Sequence, residues 1–166
     1  VRSPPPHRGS AKSPTRASHD YLTQFVGRQF MTGPDQAMDP VRAFDNLYYV
    51  GLRQNGSWAV RTSGGIILLD TLNFGEAEPR LIPSIRKAGL NPADIKVVIV
   101  GHAHGDHMGG AKYLQEKYGA KVYMSKEDWN FAESNDQGRN EIPKRDGVLA
   151  DRQKVTLGDT AITTFF

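Results

Sequence analysis

Apolar and polar positions divide this chain into two unequal parts. Residues 1–19 hold almost no large apolar side chain, and Pro4, Pro5, Pro6 and Pro14 break any helical period. Residues 1–20 therefore read as a disordered, basic tail, too poor in apolar surface to order itself. From Tyr21 onward apolar and polar segments alternate, and residues 21–166 read as one domain.

Within that domain the signals sharpen toward the middle. Tyr21, Leu22, Phe25 and Val26 fit one helical turn, but Gly33-Pro34 ends the pattern and leaves 21–38 ambiguous. Residues 47–50 predict a strand, and Asn55-Gly56 is a hairpin turn signal. Residues 57–62 and 66–70 predict two more strands joined at Ser63-Gly64-Gly65. A helix is expected over 78–88, with Leu81, Ile82, Ile85 and Ala88 on one face. Pro79 suits its first turn, Gly89 and Pro92 end it, and Pro83 demands a kink or a late start. Val97, Val98, Ile99 and Val100 form a continuous apolar run, as in a strand buried on both faces.

Beyond that run, a helix is expected over 109–118, a strand over 121–124 and a short helix over 126–133. A polar loop over 134–147 and a hairpin around Gly158-Asp159 complete the pattern. A strand meander followed by alternating helices and strands predicts an α/β layered domain. The apolar Phe165-Phe166 lies inside the last expected strand, whose edge would stand unpaired, so the C-terminal part of the domain is expected to be missing from this sequence.

Composition changes this picture in three ways. The net charge of +3 and the pI of about 9.2 come from the tail, where Arg2, Arg8, Lys12 and Arg16 have no acidic counterpart. The remainder has 17 basic against 18 acidic residues, so no basic face argues for nucleic acid, and a small-molecule substrate is expected instead. The absence of cysteine excludes disulfides and thiolate metal sites, leaving His, Asp and Glu as ligands. No apolar run approaches a membrane span and no signal-peptide core is visible. A soluble chain without a membrane partner is expected, in the cytoplasm, the periplasm or outside the cell.

The chemistry concentrates in His102-Ala103-His104-Gly105-Asp106-His107, which holds three of the five histidines. Chance would place His-x-His-x-Asp-His in about one in three thousand chains of this composition. Imidazole and carboxylate are the usual non-thiolate zinc ligands. At alternate positions of an extended loop, His102 and His104 can point the same way, while Asp106 and His107 turn at the junction with the next helix and can face a second ion. Ala103 and Gly105 leave room for tight turns. The position after a buried strand also fits, because sites in open α/β sheets gather at the carboxyl ends of strands. The structural alternative is a histidine cluster without metal, with Asp106 capping the helix that follows.

Residues 102–107, with Gly109-Gly110 behind them, resemble the signature of the metallo-β-lactamase superfamily. Ile66-Ile67-Leu68-Leu69-Asp70-Thr71 is similar to that family's strand ending in Asp, and Asp94-Ile95-Lys96-Val97-Val98-Ile99-Val100 to the segment leading into its metal loop. The similarity runs from about residue 44 to 166. It implies an αββα sandwich with one or two zinc ions, His102 and His104 holding the first, Asp106 and His107 the second. It implies a hydrolase that activates water against an amide or ester bond, as a β-lactamase does, with Asp106 also catalytic. A thioesterase, a lactonase or a non-catalytic metal-binding fragment are the alternatives. The family completes its site with further histidines and a carboxylate after the motif, whereas this sequence has no histidine beyond His107.

Weaker candidates surround the motif. Asp70 is either a turn residue at a strand end or an acceptor behind a ligand histidine, fixing its tautomer, and the resemblance favours the second. Trp58 alternates with Val60 and reads as core. Trp129 and Phe131 read as packing residues or as a pocket lining. Asp128, Glu133, Asp136, Glu141, Asp146, Asp151 and Asp159 are carboxylates without a ligand context, and His7 and His19 receive no role. Gly109 and Gly110 are expected to permit close helix approach.

Overall fold

Strand β1 (Val41–Arg42), β2 (Leu47–Tyr49), β3 (Trp58–Thr62) and β4 (Gly65–Leu69) form an antiparallel meander. β5 (Ile95–Ile99), β6 (Lys121–Ser125) and β7 (Gly147–Leu149) then extend the same sheet in parallel from β4, giving seven strands in chain order. These statements come from a computed structural model that describes residues 36–135 and 140–166. The expected tail, the ambiguous segment over 21–38 as far as residue 35, His7, His19 and Asp136 lie outside the described residues.

The crossovers between parallel strands carry the helices α1 (Ile82–Lys87), α2 (Gly105–Met108), α3 (Ala111–Tyr118) and α4 (Lys126–Asn135). The sequence expected one helix over 78–88. Instead a π-helical turn (Ala77–Leu81) leads into α1. Pro83 explains the break: it has no N–H to donate, and the wider turn lets it fall in the first turn of α1, where none is needed. The expected apolar face holds, with Leu81, Ile82 and Ile85 buried. β1 and β7 were not anticipated, because strands of two and three residues are too short to show a period.

Alternation along the strands builds two cores. Ala59, Ile66, Leu68, Val98 and Val122 face the helices and pack with Leu81, Ile85, Leu114 and Trp129. Val60, Ile67, Val97 and Ile99 face the other way and pack against the hairpin of β8 (Lys154–Leu157) and β9 (Thr160–Thr163) through Val155, Leu157 and Ile162. The layers are helix, large sheet and hairpin, in line with the α/β class read from the sequence.

Because β4 and β5 are apolar on both faces, the hydrophobic pattern alone fixes their register weakly. Polar groups at the strand ends fix it instead. The Asp70 N–H donates to the Ile99 carbonyl at 3.0 Å, and its carboxylate accepts from the Gly101 N–H at 2.7 Å. The functional residues lie at this same carboxyl end of the parallel strands.

At the opposite turn of the β3–β4 hairpin, Ser63 and Asp159 exchange hydrogen bonds. The Ser63 N–H donates to Asp159 Oδ1 and the Asp159 N–H donates to Ser63 Oγ, both at 3.0 Å. No side chain would fit between these turns, since a Cβ on Gly64 would lie 2.8 Å from the Gly158 nitrogen. The Ser63 N–H, seconded by the Thr160 hydroxyl, holds the Asp159 carboxyl below the ordinary aspartate value of 3.8. A depressed folded-state pKa contributes stability above the unfolded value that is lost as pH falls through the folded one. Asp159→Ala should therefore lower the melting temperature at neutral pH. Melting curves on a pH series should show that gap closing below about pH 4; a gap independent of pH would contradict the clamp.

Candidate metal centre

β5 delivers the chain to Gly101, and the loop that follows is held through its backbone. The Gly101 N–H donates to Asp70 Oδ1 at 2.7 Å, from the end of β4. The Ala103 N–H donates to Asp128 Oδ1 at 2.9 Å, from the first turn of α4. Asp128 is itself fixed by Ser125, whose hydroxyl donates to Oδ2 at 2.6 Å while its oxygen accepts the Asp128 N–H at 3.0 Å. Carboxylates on either side thus take the N–H groups of residues 101 and 103. Donor side chains sit at the even positions 102, 104 and 106.

One ligand atom from each of His102, His104 and Asp106 lies within 4.8 Å of the others. The His102 and His104 rings meet edge to face at 4.7 Å, and His102 lies 3.9 Å from the His107 ring. The helix begins earlier than the sequence suggested. His104 is extended (φ −76°, ψ 151°) and occupies the cap position of α2, and its carbonyl accepts from the His107 and Met108 N–H groups. Asp106 lies inside the first turn, so the capping alternative for its side chain does not apply.

Behind His107 stands Asp70. The His107 Nδ1 is 2.9 Å from Asp70 Oδ2, and Nε2 is 3.4 Å from Asp106 Oδ2. A ring that donates its Nδ1 proton to Asp70 presents Nε2 to a metal. Nε2 and Asp106 Oδ2 thus stand side by side, placed to share one cation. This geometry, with the His102, His104 and Asp106 group beside it, fits a divalent metal of borderline softness.

The support is bought with backbone strain. Asp70 has φ +60° and Leu72 φ +65°, conformations that cost a non-glycine residue about 1–2 kcal/mol. Four hydrogen bonds over-determine the turn. Ser57 Oγ donates to the Asp70 carbonyl at 2.8 Å. The Thr71 N–H and hydroxyl both donate to the His107 carbonyl, at 2.6 and 2.9 Å. The Thr71 oxygen also accepts the Gly110 N–H at 3.1 Å. Gly109 and Gly110 make this approach possible: a Cβ on Gly109 would lie 2.1 Å from the Phe74 nitrogen, and one on Gly110 2.5 Å from the Thr71 carbonyl oxygen. Close helix approach, expected of both glycines, is what they provide.

The remaining candidates separate clearly. Trp58 stacks edge to face on Tyr49 at 4.9 Å. Trp129 is fully buried and donates Nε1–H to the Gly147 carbonyl at 2.8 Å, a packing role. Phe131, half exposed, stands 5.6 Å from the His104 ring and lines a cavity with Glu141. Glu133 pairs with Arg145, Asp146 with Lys121 and Gln115, and Asp151 accepts from the Phe166 N–H. None of these three joins the ligand group. Thr71, Phe74 and Met108 act through contacts distant in sequence or in a cavity wall, which no local pattern reveals, whereas Ser125 caps α4 through Asp128 in a Ser-x-x-Asp pattern that the sequence does carry.

Comparison with known proteins places this arrangement. The family model described as the metallo-beta-lactamase superfamily matches residues 50–164. The subclass B3 metallo-β-lactamase BJP-1 of Bradyrhizobium japonicum is similar in structure, with a TM-score of 0.72 and 30% identity over 81% of this chain and 54% of that one. Hydroxyacylglutathione hydrolase GloC of Haemophilus influenzae is 37% identical over 81 residues, 47% of this chain and 36% of that protein. Exodeoxyribonuclease WalJ of Streptococcus pneumoniae is 25% identical over 109 residues, 66% of this chain and 39% of that protein. The chain thus spans about half the length of the solved structure and less of these curated relatives. A relative named as a nuclease removes the support for excluding nucleic acid on charge alone. No helix among the described residues is long and apolar enough to cross a membrane. The family match takes in the strand that ends at Asp70 and the whole donor loop, and by it the chain belongs to the metallo-β-lactamase superfamily.

Proposed function

We propose that this chain supplies the zinc-binding loop of a hydrolase that activates water against an amide or ester bond, in the manner of a β-lactamase. The observation that carries the reading is the convergence of His102, His104 and Asp106 within 4.8 Å on a loop whose backbone is tied down on both sides. His102 and His104 would hold one ion. Asp106 and His107 would hold a second, since Asp70 leaves His107 Nε2 as the free donor.

Zinc in such a site brings the ionisation of water toward neutral pH and polarises a carbonyl oxygen. The protein's own groups do the rest. Asp106 has lone pairs beyond the one it gives to the donor group, and these accept a hydrogen bond from the attacking water and orient it. Asp70 keeps the His107 ring from rotating and directs its Nε2 toward the donor group. Asp128 and Thr71 hold the backbone so that no reorganisation is needed as charge develops.

Thioester cleavage is the second reading, favoured by the 37% identity to a hydroxyacylglutathione hydrolase. A panel of a chromogenic cephalosporin, a glutathione thioester, a lactone and single-stranded DNA, offered to the zinc-loaded protein, separates these chemistries. Turnover of the cephalosporin is expected. Zinc bound at stoichiometry with no turnover on any substrate would falsify the hydrolase reading.

Two variants probe the roles of the carboxylates. Asp106→Ala should reduce turnover about 100-fold or more while leaving the melting temperature nearly unchanged. Full activity in this variant removes Asp106 from the chemistry. Asp70→Asn keeps a side chain that tolerates positive φ but removes the charge behind His107. Competition against a chromogenic chelator should show zinc affinity weakened about 10- to 100-fold. Unchanged affinity would reduce Asp70 to a turn residue.

A further inference from the structure

At the amino ends of β4 and β5, the end of the sheet opposite the metal centre, lies a cavity of about 500 Å³. It opens between the β3–β4 turn and the connection from α1 to β5. Only Ile66 and Leu90 bring apolar side chains to its wall, and both are buried in the core. The charged side chains of the wall are Arg61, Asp94 and Lys96.

Lys96 is there because β5 is irregular. The pairing with β4 runs from Ile66–Ile95 directly to Ile67–Val97, so Lys96 is an extra residue in a bulge. Ile95 and Val97 on either side of it are buried, and strict alternation would carry the ammonium into one of the two cores. The bulge turns it out instead, which is how bulges re-aim side chains. Lys96 Nζ donates to the Ala93 carbonyl at 2.8 Å, which uses one of its three donors. Space for its stem comes from Gly65, where a Cβ would lie 2.8 Å from Lys96 Cγ. Arg61 reaches the wall from β3, with its guanidinium carbon 5.9 Å from the centre of the Tyr48 ring. Arg61 pairs with Ile66 and Ile66 with Ile95, so Arg61 and Lys96 stand two strand spacings apart, roughly 10 Å between backbones. Neither cation forms an ion pair among the described residues, and neither does Asp94.

We propose that this cavity binds the phosphate monoester of a small polyol, a sugar phosphate, at a site separate from the metal centre. Arg61 offers a planar fork of donors and Lys96 a compact charge, two groups that together suit a dianionic phosphate. Asn91 uses its Oδ1 to accept the Ala93 N–H, which leaves its amide N–H groups for the same oxygens. Asp94 only accepts, and it takes hydroxyl groups of the polyol. A wall without an aromatic face gives a nucleobase nothing to stack on. The volume lies within the range of small-molecule sites, about 300–1,000 Å³. None of this depends on what the donor loop hydrolyses.

Zinc-loaded protein labelled with 15N at glycine reports both binding and its location. Glucose 6-phosphate should shift the Gly64, Gly65 and Gly89 amides saturably, and leave Gly101 and Gly105 of the donor loop in place. Glucose should shift none of them. Inorganic phosphate should need about tenfold higher concentration or more, because it brings no hydroxyl for Asp94, and Asp94→Ala should narrow that gap. Arg61→Gln and Lys96→Gln should each weaken the sugar phosphate about tenfold or more. Both positions are exposed, so the spectra of these variants without ligand should overlay that of the parent. Lys154→Gln, at an exposed lysine on β8 outside the cavity, should change nothing. Glycines of the cavity that do not respond, or shifts confined to Gly101 and Gly105, which would put the phosphate on the zinc, overturn the proposal. So does binding that neither Arg61→Gln nor Lys96→Gln weakens, or inorganic phosphate binding as tightly as the sugar phosphate.

Discussion

The Asp70 carboxylate is the joint on which the site turns. One oxygen takes the Gly101 N–H where the donor loop leaves β5, and the other takes His107 Nδ1 where the loop enters α2. A single side chain therefore sets where the loop begins and how its last donor is oriented. It also locks β4 to β5, whose two apolar faces leave the register weakly specified. Packing and chemistry depend here on the same two hydrogen bonds.

Holding Asp70 in place costs backbone strain, and the surrounding residues offset it. The left-handed turn at Asp70 and Leu72 is pinned by Ser57, just before β3, and by the paired Thr71 contacts to the His107 carbonyl. Thr71 can reach that carbonyl only because Gly109 and Gly110 let two backbone segments pass with no Cβ between them. The outcome is a rigid loop on the carboxyl ends of parallel strands, with Asp128 reaching in from α4 to finish it. Rigidity of this kind suits a site that must stabilise charge without reorganising.

Much of this was legible in the residues, and the illegible part has a common cause. The α/β layering showed in a strand meander followed by alternating helices and strands and in the continuous apolar run of β5, and the donor loop showed in three histidines and an aspartate within six positions. The kink before α1 showed in Pro83, although its form as a π-helical turn did not. By contrast, β1 and β7 are too short to carry a period, and the start of α2 at Gly105 is set by tertiary contacts to the loop. Asp128 was visible only as one carboxylate among seven, because the Ala103 N–H it accepts lies 25 residues away and is brought to it by the β5–β6 pairing. The charge count, which argued against nucleic acid, measured the average composition of the chain and not the chemistry of its relatives.

The account stands or falls on whether the 102–107 loop grips a metal ion through its imidazoles. X-ray absorption at the zinc edge, on protein given one equivalent of zinc, reads this directly. The account predicts a shell of nitrogen and oxygen neighbours with the outer-shell scattering of at least two imidazole rings, lost when His102 and His104 are replaced by alanine. A spectrum without imidazole scattering, or one unchanged in that double variant, would contradict it.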